Sequence, residues 1–169
     1  MDNGVGGKTH RPVIILLSDR VNKICEVVLF IFLLAMITTT TLQVIFRFFF
    51  QALSWSEEIT RFLLVWSSLI GAAIAFRRGS HIAVTFVIER FPPVLRKLAV
   101  VITYILGIIF FLIVLWYGIE LMIEESAQTS PALNIPMPYI YSIYPIMGTV
   151  IILHLISGLI EAFKRKESE

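Results

Sequence analysis

Trp55, Glu57, Glu58 and Arg61 crowd one stretch that reads as the entry to a helix, and Arg47 precedes them as the end of another. Glu57 and Arg61 are four residues apart, the favoured order for an ion pair on one helix face, worth about 0.3–0.5 kcal/mol when exposed. The residues can serve as a solvated helix start, or as a paired cluster that locks two helices or meets another subunit. Catalytic chemistry finds less material. A helix bundle that drives a solute by itself needs an ionisable residue near the bilayer midplane, because burying a charge there is costly. Glu26 is the one carboxylate placed to try, and it lies at a helix start within one turn of Lys23. Of the three histidines, His10 lies in the tail, His81 in a connection, and only His154 inside a helix, which leaves no facing pair for haem. No nucleophile–base constellation and no glycine-rich phosphate loop occur, and the lone Cys25 has neither a disulfide partner nor a metal-ligand spacing. The residue set implies a protein that is not an enzyme and needs no cofactor.

The elements that must position these residues are membrane spans. With 57% hydrophobic residues, 15% charged and a mean hydropathy of +0.86, the chain of 169 residues suits lipid rather than water. A net charge of +2 gives no reason to expect nucleic acid. Crossing about 30 Å of hydrocarbon takes roughly 20 apolar residues in a helix, and four runs qualify. The first span is predicted over 24–47, with Thr38 to Thr41 bonding back to the preceding turn. The second, 56–76, carries Glu57, Glu58 and Arg61 in its opening turns. The third, 98–119, is free of charge. The fourth is predicted over 140–161, because Pro131, Pro136 and Pro138 push its start past them while Pro145 fits in a first turn. Residues 1–23 and 162–169 are read as tails, and the early apolar run at 13–17, broken by Asp19 and Arg20, is not a secretion signal.

Basic residues near helix ends stay on the cytoplasmic side. Lys8, Arg11, Arg20 and Lys23, then Arg77, Arg78, Arg90, Arg96 and Lys97, then Lys164, Arg165 and Lys166 make 12 of the 14 Lys and Arg, all on one side of a four-span topology. The other side carries Glu57, Glu58, Glu120, Glu124 and Glu125. Both termini are therefore expected in the cytoplasm, and the whole is expected to be an all-α integral membrane domain.

The connections have character of their own. In 77–97, Val84, Val87, Ile88 and Phe91 recur at helical spacing before Pro92 and Pro93, which suggests a short interfacial helix between spans two and three. In 120–139, the stretch containing Pro131 and Pro136 is too proline-rich for a helix and too apolar for a free loop, so an extended strap is expected. Span two carries Ser67, Gly71 and Ala75 at four-residue spacing, a small-residue pattern that lets helix backbones approach closely. Trp55, Trp116, Tyr117, Tyr139, Tyr141 and Tyr144 form an aromatic belt at the external interface.

Taken in order, Trp55-Ser56-Glu57-Glu58 with Arg61, Gly71-Ala72-Ala73 with Ala75, Gly79-Ser80-His81-Ile82 with Val84, and Gln128 followed by Ser130-Pro131-Ala132-Leu133 and Ile135-Pro136 with Tyr141 and Pro145, resemble the small permease subunit of the tripartite ATP-independent periplasmic transporters. The resemblance runs from the first span to the fourth. It implies a bacterial inner-membrane complex in which a large membrane subunit carries substrate and sodium sites and a periplasmic binding protein delivers an organic acid. The small subunit would be a scaffold, with Arg47, Trp55, Glu57, Glu58, Arg61, Ser67, Gly71, Ala75, His81, Pro131 and Pro136 as its interface or structural residues. The competing reading is a stand-alone four-helix exporter that uses Glu26 as its coupling carboxylate.

Overall fold

A computed structural model of the chain describes residues 12–49, 51, 53–88 and 92–164, without the side chains of 79–88, 93, 94, 96, 97 and 164. The apolar runs form helices α1 (Val13–Phe49), α2 (Ser54–Ile88), α3 (Pro93–Glu124) and α5 (Ile143–Lys164), with a five-residue helix α4 (Met137–Tyr141) before the last. Four of them are long and apolar enough to cross a membrane, as the charge-free runs require.

The helices exceed the lengths that apolarity alone sets. α1 has 37 residues, about 55 Å at 1.5 Å per residue. It begins at Val13, well before residue 24, because its first turns have partners of their own: Ile15, Ser18, Asn22 and Cys25 are buried. α2 runs unbroken from Ser54 to Ile88, so the helical spacing after Gly79 is realised as a continuation of α2. The apolar face proposed for 84–91 lies outside the described side chains. α3 opens at Pro93, whose missing N–H is no loss in a first turn. Pro138 occupies the same kind of position in α4, and Pro145 in α5.

Two hairpins make the bundle. α1 packs on α2, α3 packs on α5, and α2 against α5 joins them, while α2 and α3 touch narrowly. α5 is the centre: Ile143, Met147, Ile151 and Leu155, each four residues from the next, are all buried. Ile70 and Ala73 of α2 and Tyr104 and Phe111 of α3 complete the core. Phe32 and Trp66 join α1 to α2 with centroids 5.8 Å apart, and Phe76 meets Phe111 edge-on at 5.3 Å. Glycine on α3 and α5 permits the close approach. A Cβ on Gly118 would stand 2.7 Å from Tyr144 Cβ, and one on Gly148 3.3 Å from Leu115 Cβ.

Candidate functional site

The polar groups collect at the two ends of the bundle. At one end a strap, residues 128–136, closes on itself and on α2. Ser130 N–H donates to the Ile135 carbonyl at 2.9 Å, Asn134 N–H to the Ser130 carbonyl at 3.0 Å, and Met137 N–H to the Gln128 carbonyl at 3.0 Å. Asn134 makes the turn in the left-handed region, φ 55°, which asparagine tolerates better than most residues. Glu58 fastens this turn to α2. Its Oε2 accepts the N–H groups of Ala132 and Leu133, both at 3.0 Å, and the residue is buried. A second tie runs from Trp66 Nε1 to the Ile140 carbonyl at 3.1 Å. The expected strap therefore packs on α2, through a carboxylate that reads two backbone donors rather than through an ion pair.

Beside it, Gln43 Nε2 of α1 donates to Glu57 Oε1 at 3.1 Å. Glu57 thus joins the first two helices, but through Gln43; among the described residues it forms no pair with Arg61. Arg47 and Arg61 are exposed and have no carboxylate partner among the described residues. Trp55 is exposed on the same end, while Pro131 and Pro136 lie on the outer side of the strap. Arg47 in the last turn of α1 and Glu57 in the first turn of α2 each oppose the helix dipole at their terminus.

The opposite end holds a cluster that spacing along the chain does not reveal. Arg77 of α2 donates to Asp19 of α1 at 3.0 Å and to Glu161 of α5 at 3.0 and 3.2 Å. Its planar guanidinium can serve two carboxylates at once, which a lysine could not do in the same geometry. Beside it Ser18 Oγ lies 2.7 Å from His154 Nδ1, both fully buried. Glu26 accepts from Asn22 and pairs with Arg78 at 2.6 Å. Asp19, Arg77, Glu161, Ser18 and His154 carried no signal beyond their own polarity in an apolar segment. His81 has no described side chain, so its role lies outside the described residues.

Of the small residues on α2, Ser67 is buried, Gly71 half-buried and Ala75 exposed, so they do not form one internal seam. A Cβ on Gly71 would meet nothing within 4 Å. Among the described residues no group of three or more His, Cys, Asp or Glu could hold a metal ion. What the arrangement does is hold helices: each described charged pair or carboxylate clasp crosses between elements or ties the strap.

The family described as "Tripartite ATP-independent periplasmic transporters, DctQ component" matches residues 36–165, well over half of the chain. The chain belongs to this family. The DctQ-family chain is 28% identical over 148 residues to a Haemophilus influenzae protein named as a TRAP transporter small permease, covering 85% of this chain and 90% of that one. It is 26% identical over 136 residues to the isethionate TRAP transporter permease protein DctMQ of Oleidesulfovibrio alaskensis, covering 75% of this chain but only 21% of the longer relative. It is 33% identical over 82 residues to the sialic acid TRAP transporter small permease protein SiaQ of Vibrio cholerae, covering 48% of this chain and 47% of that one. The DctQ chain is thus a non-catalytic component of a membrane transporter, a multi-pass protein of the bacterial inner membrane.

Proposed function

We propose that this DctQ chain scaffolds a large permease subunit for sodium-driven uptake of an organic acid handed over by a periplasmic binding protein, with the Arg77 end and both termini in the cytoplasm. The observation that carries this reading is where the bundle's charges stand. They form clasps at the two ends, and the core between them, Ile70, Ala73, Phe111, Met147 and Ile151 with the buried hydroxyl of Ser67, holds no Asp, Glu, Lys or Arg. A core without a carboxylate offers a driving ion no charged site, so translocation belongs to a companion. The longer DctMQ relative, of which this chain matches a fifth, supports a companion that lies in the same membrane. Isethionate and sialic acid, named for two relatives, are both organic acids. Glu26, the carboxylate an exporter would need, is engaged by Arg78 and Asn22.

Proteoliposomes test the reading. Vesicles with the chain alone are expected to accumulate no organic acid under a sodium gradient, and those with the large permease and a loaded binding protein to accumulate it. Accumulation by the chain alone overturns the proposal.

A further inference from the structure

The first turns of α1 keep their acids for the bundle and turn their cations outward. Lys23 has two carboxylates at helical reach, Asp19 four residues before it and Glu26 three after. Both are engaged elsewhere: Asp19 accepts from Arg77, and Glu26 pairs with Arg78 at 2.6 Å. Arg20 and Lys23, three residues apart, are exposed and have no carboxylate among the described residues. The clasps that close α1 on its neighbours thus leave an uncompensated pair of cations on the outside of the bundle.

The surface around this pair is apolar on both sides. Arg20 lies on one stripe of α1 with Val13, Leu17, Ile24, Val27 and Ile31, at spacings of four, three, four, three and four, and all are exposed. The stripe holds no Gly, Ala or Ser, the residues that let a second helix come close; its bulky side chains suit fluid acyl chains. The length of α1 sets the level of the cations. From Arg20 to Arg47 the helix rises about 40 Å at 1.5 Å per residue, and Lys23 is the only other Lys or Arg in that stretch. A bilayer measures roughly 40–45 Å with its headgroup layers included, so Arg20 and Lys23 stand at the headgroup layer of their side. Side chains on a helix lean towards its N-terminus. Both cations therefore reach away from the hydrocarbon, towards the level of Leu16 and Leu17.

We infer that Arg20 and Lys23 form a binding site for one anionic glycerophospholipid, its phosphate held between the two cations and its acyl chains lying along Ile24, Val27 and Ile31. Arginine offers paired donors to the phosphate oxygens and lysine a point charge. A zwitterionic headgroup brings its own cation to the same place and compensates the pair less well. The site rests on the four spans, not on the scaffold reading, and holds whichever way the bundle sits in the membrane.

The full chain, purified in mild detergent and offered equal amounts of phosphatidylglycerol and phosphatidylcholine, gives the test, with retained lipid counted by native mass spectrometry. The unaltered chain is expected to prefer phosphatidylglycerol about 25-fold, roughly fivefold from each cation. Arg20→Gln combined with Lys23→Gln is expected to bring the preference to within about twofold. Because neither side chain has a partner in the bundle, that variant should unfold at the wild-type temperature in lipid-free detergent. Arg20→Lys combined with Lys23→Arg keeps both charges and is expected to keep most of the preference. A phosphatidylglycerol with a photoreactive headgroup gives an independent readout: it is expected to label the chain within residues 13–27, and the glutamine variant far less. No headgroup preference in the unaltered chain, or an equal one in the glutamine variant, overturns the site. So does release of the lipid by an equal concentration of inorganic phosphate, which would make the pair a site for a free anion. Unchanged lipid retention with lost capture by the large permease would assign the cations to a partner's carboxylate, and it overturns the site as well.

Discussion

Glu58 holds two backbone donors of a segment more than seventy residues away, and its environment fixes what it contributes. Ala132 and Leu133 point their N–H groups at one oxygen, Oε2, so the essential property is an acceptor at that position. Glu58→Gln keeps such an oxygen and is expected to change stability little. Glu58→Ala removes it. Each N–H left dry costs about 1–3 kcal/mol, but Ala132 is exposed and water can reach it, so a loss of about 2 kcal/mol is expected. Thermal unfolding in detergent measures the difference, and limited proteolysis within 128–136 should accelerate for the alanine variant only. A glutamine variant as damaged as the alanine one would assign the role to the negative charge instead.

At the level of the helices, close packing is concentrated between α3 and α5, and glycine is the reason. A Cβ at position 118 would lie 2.7 Å from Tyr144 Cβ and 3.0 Å from Pro145 Cδ, atoms of a proline-stiffened first turn that cannot withdraw easily. Gly118→Ala is therefore expected to destabilise the bundle by about 1–3 kcal/mol, the usual cost of overpacking. Gly71→Ala, with open space, is expected to cost nothing measurable, and the two unfolding temperatures side by side check the contrast. The same comparison explains what the sequence could reveal. The four spans were legible because charge-free runs of sufficient length have no other use, and Pro145 marked a first turn correctly. Gly107 and Gly118, and Gly148 and Gly158, stand eleven and ten residues apart, three turns rather than one, so no small-residue motif flagged them. Ser67, Gly71 and Ala75 did show that motif, yet spacing could not say that Ser67 is buried while Ala75 looks outward. The Arg77 cluster was hidden for another reason: Asp19 and Glu161 are 58 and 84 residues from Arg77, and only the meeting of α1, α2 and α5 brings them together.

Across the whole molecule the two ends differ in sign, and that difference predicts how the bundle sits in the membrane. The four-span order read from the sequence assigns 12 of the 14 Lys and Arg to the side of the Arg77 end, although three carboxylates, Asp19, Glu26 and Glu161, neutralise Arg77 and Arg78 there. The strap end carries Glu57, Glu120 and Glu124 exposed, together with Trp55, Trp116, Tyr117 and Tyr139, residues that settle at the lipid–water boundary. Retention of Lys and Arg in the cytoplasm depends on their presence near helix ends and little on accompanying Asp or Glu, so the clasped arginines still count. The strap and its clasp at Glu58 are then expected on the periplasmic side, where a delivering protein could reach them. In a Cys25→Ser background, Ser126→Cys is expected to react with a membrane-impermeant maleimide in intact spheroplasts, because Ser126 is exposed at the strap end. Ser168→Cys is expected to react only after lysis. The reverse pattern would turn the bundle over and place the strap beyond the reach of any periplasmic partner, while leaving the helix packing unchanged.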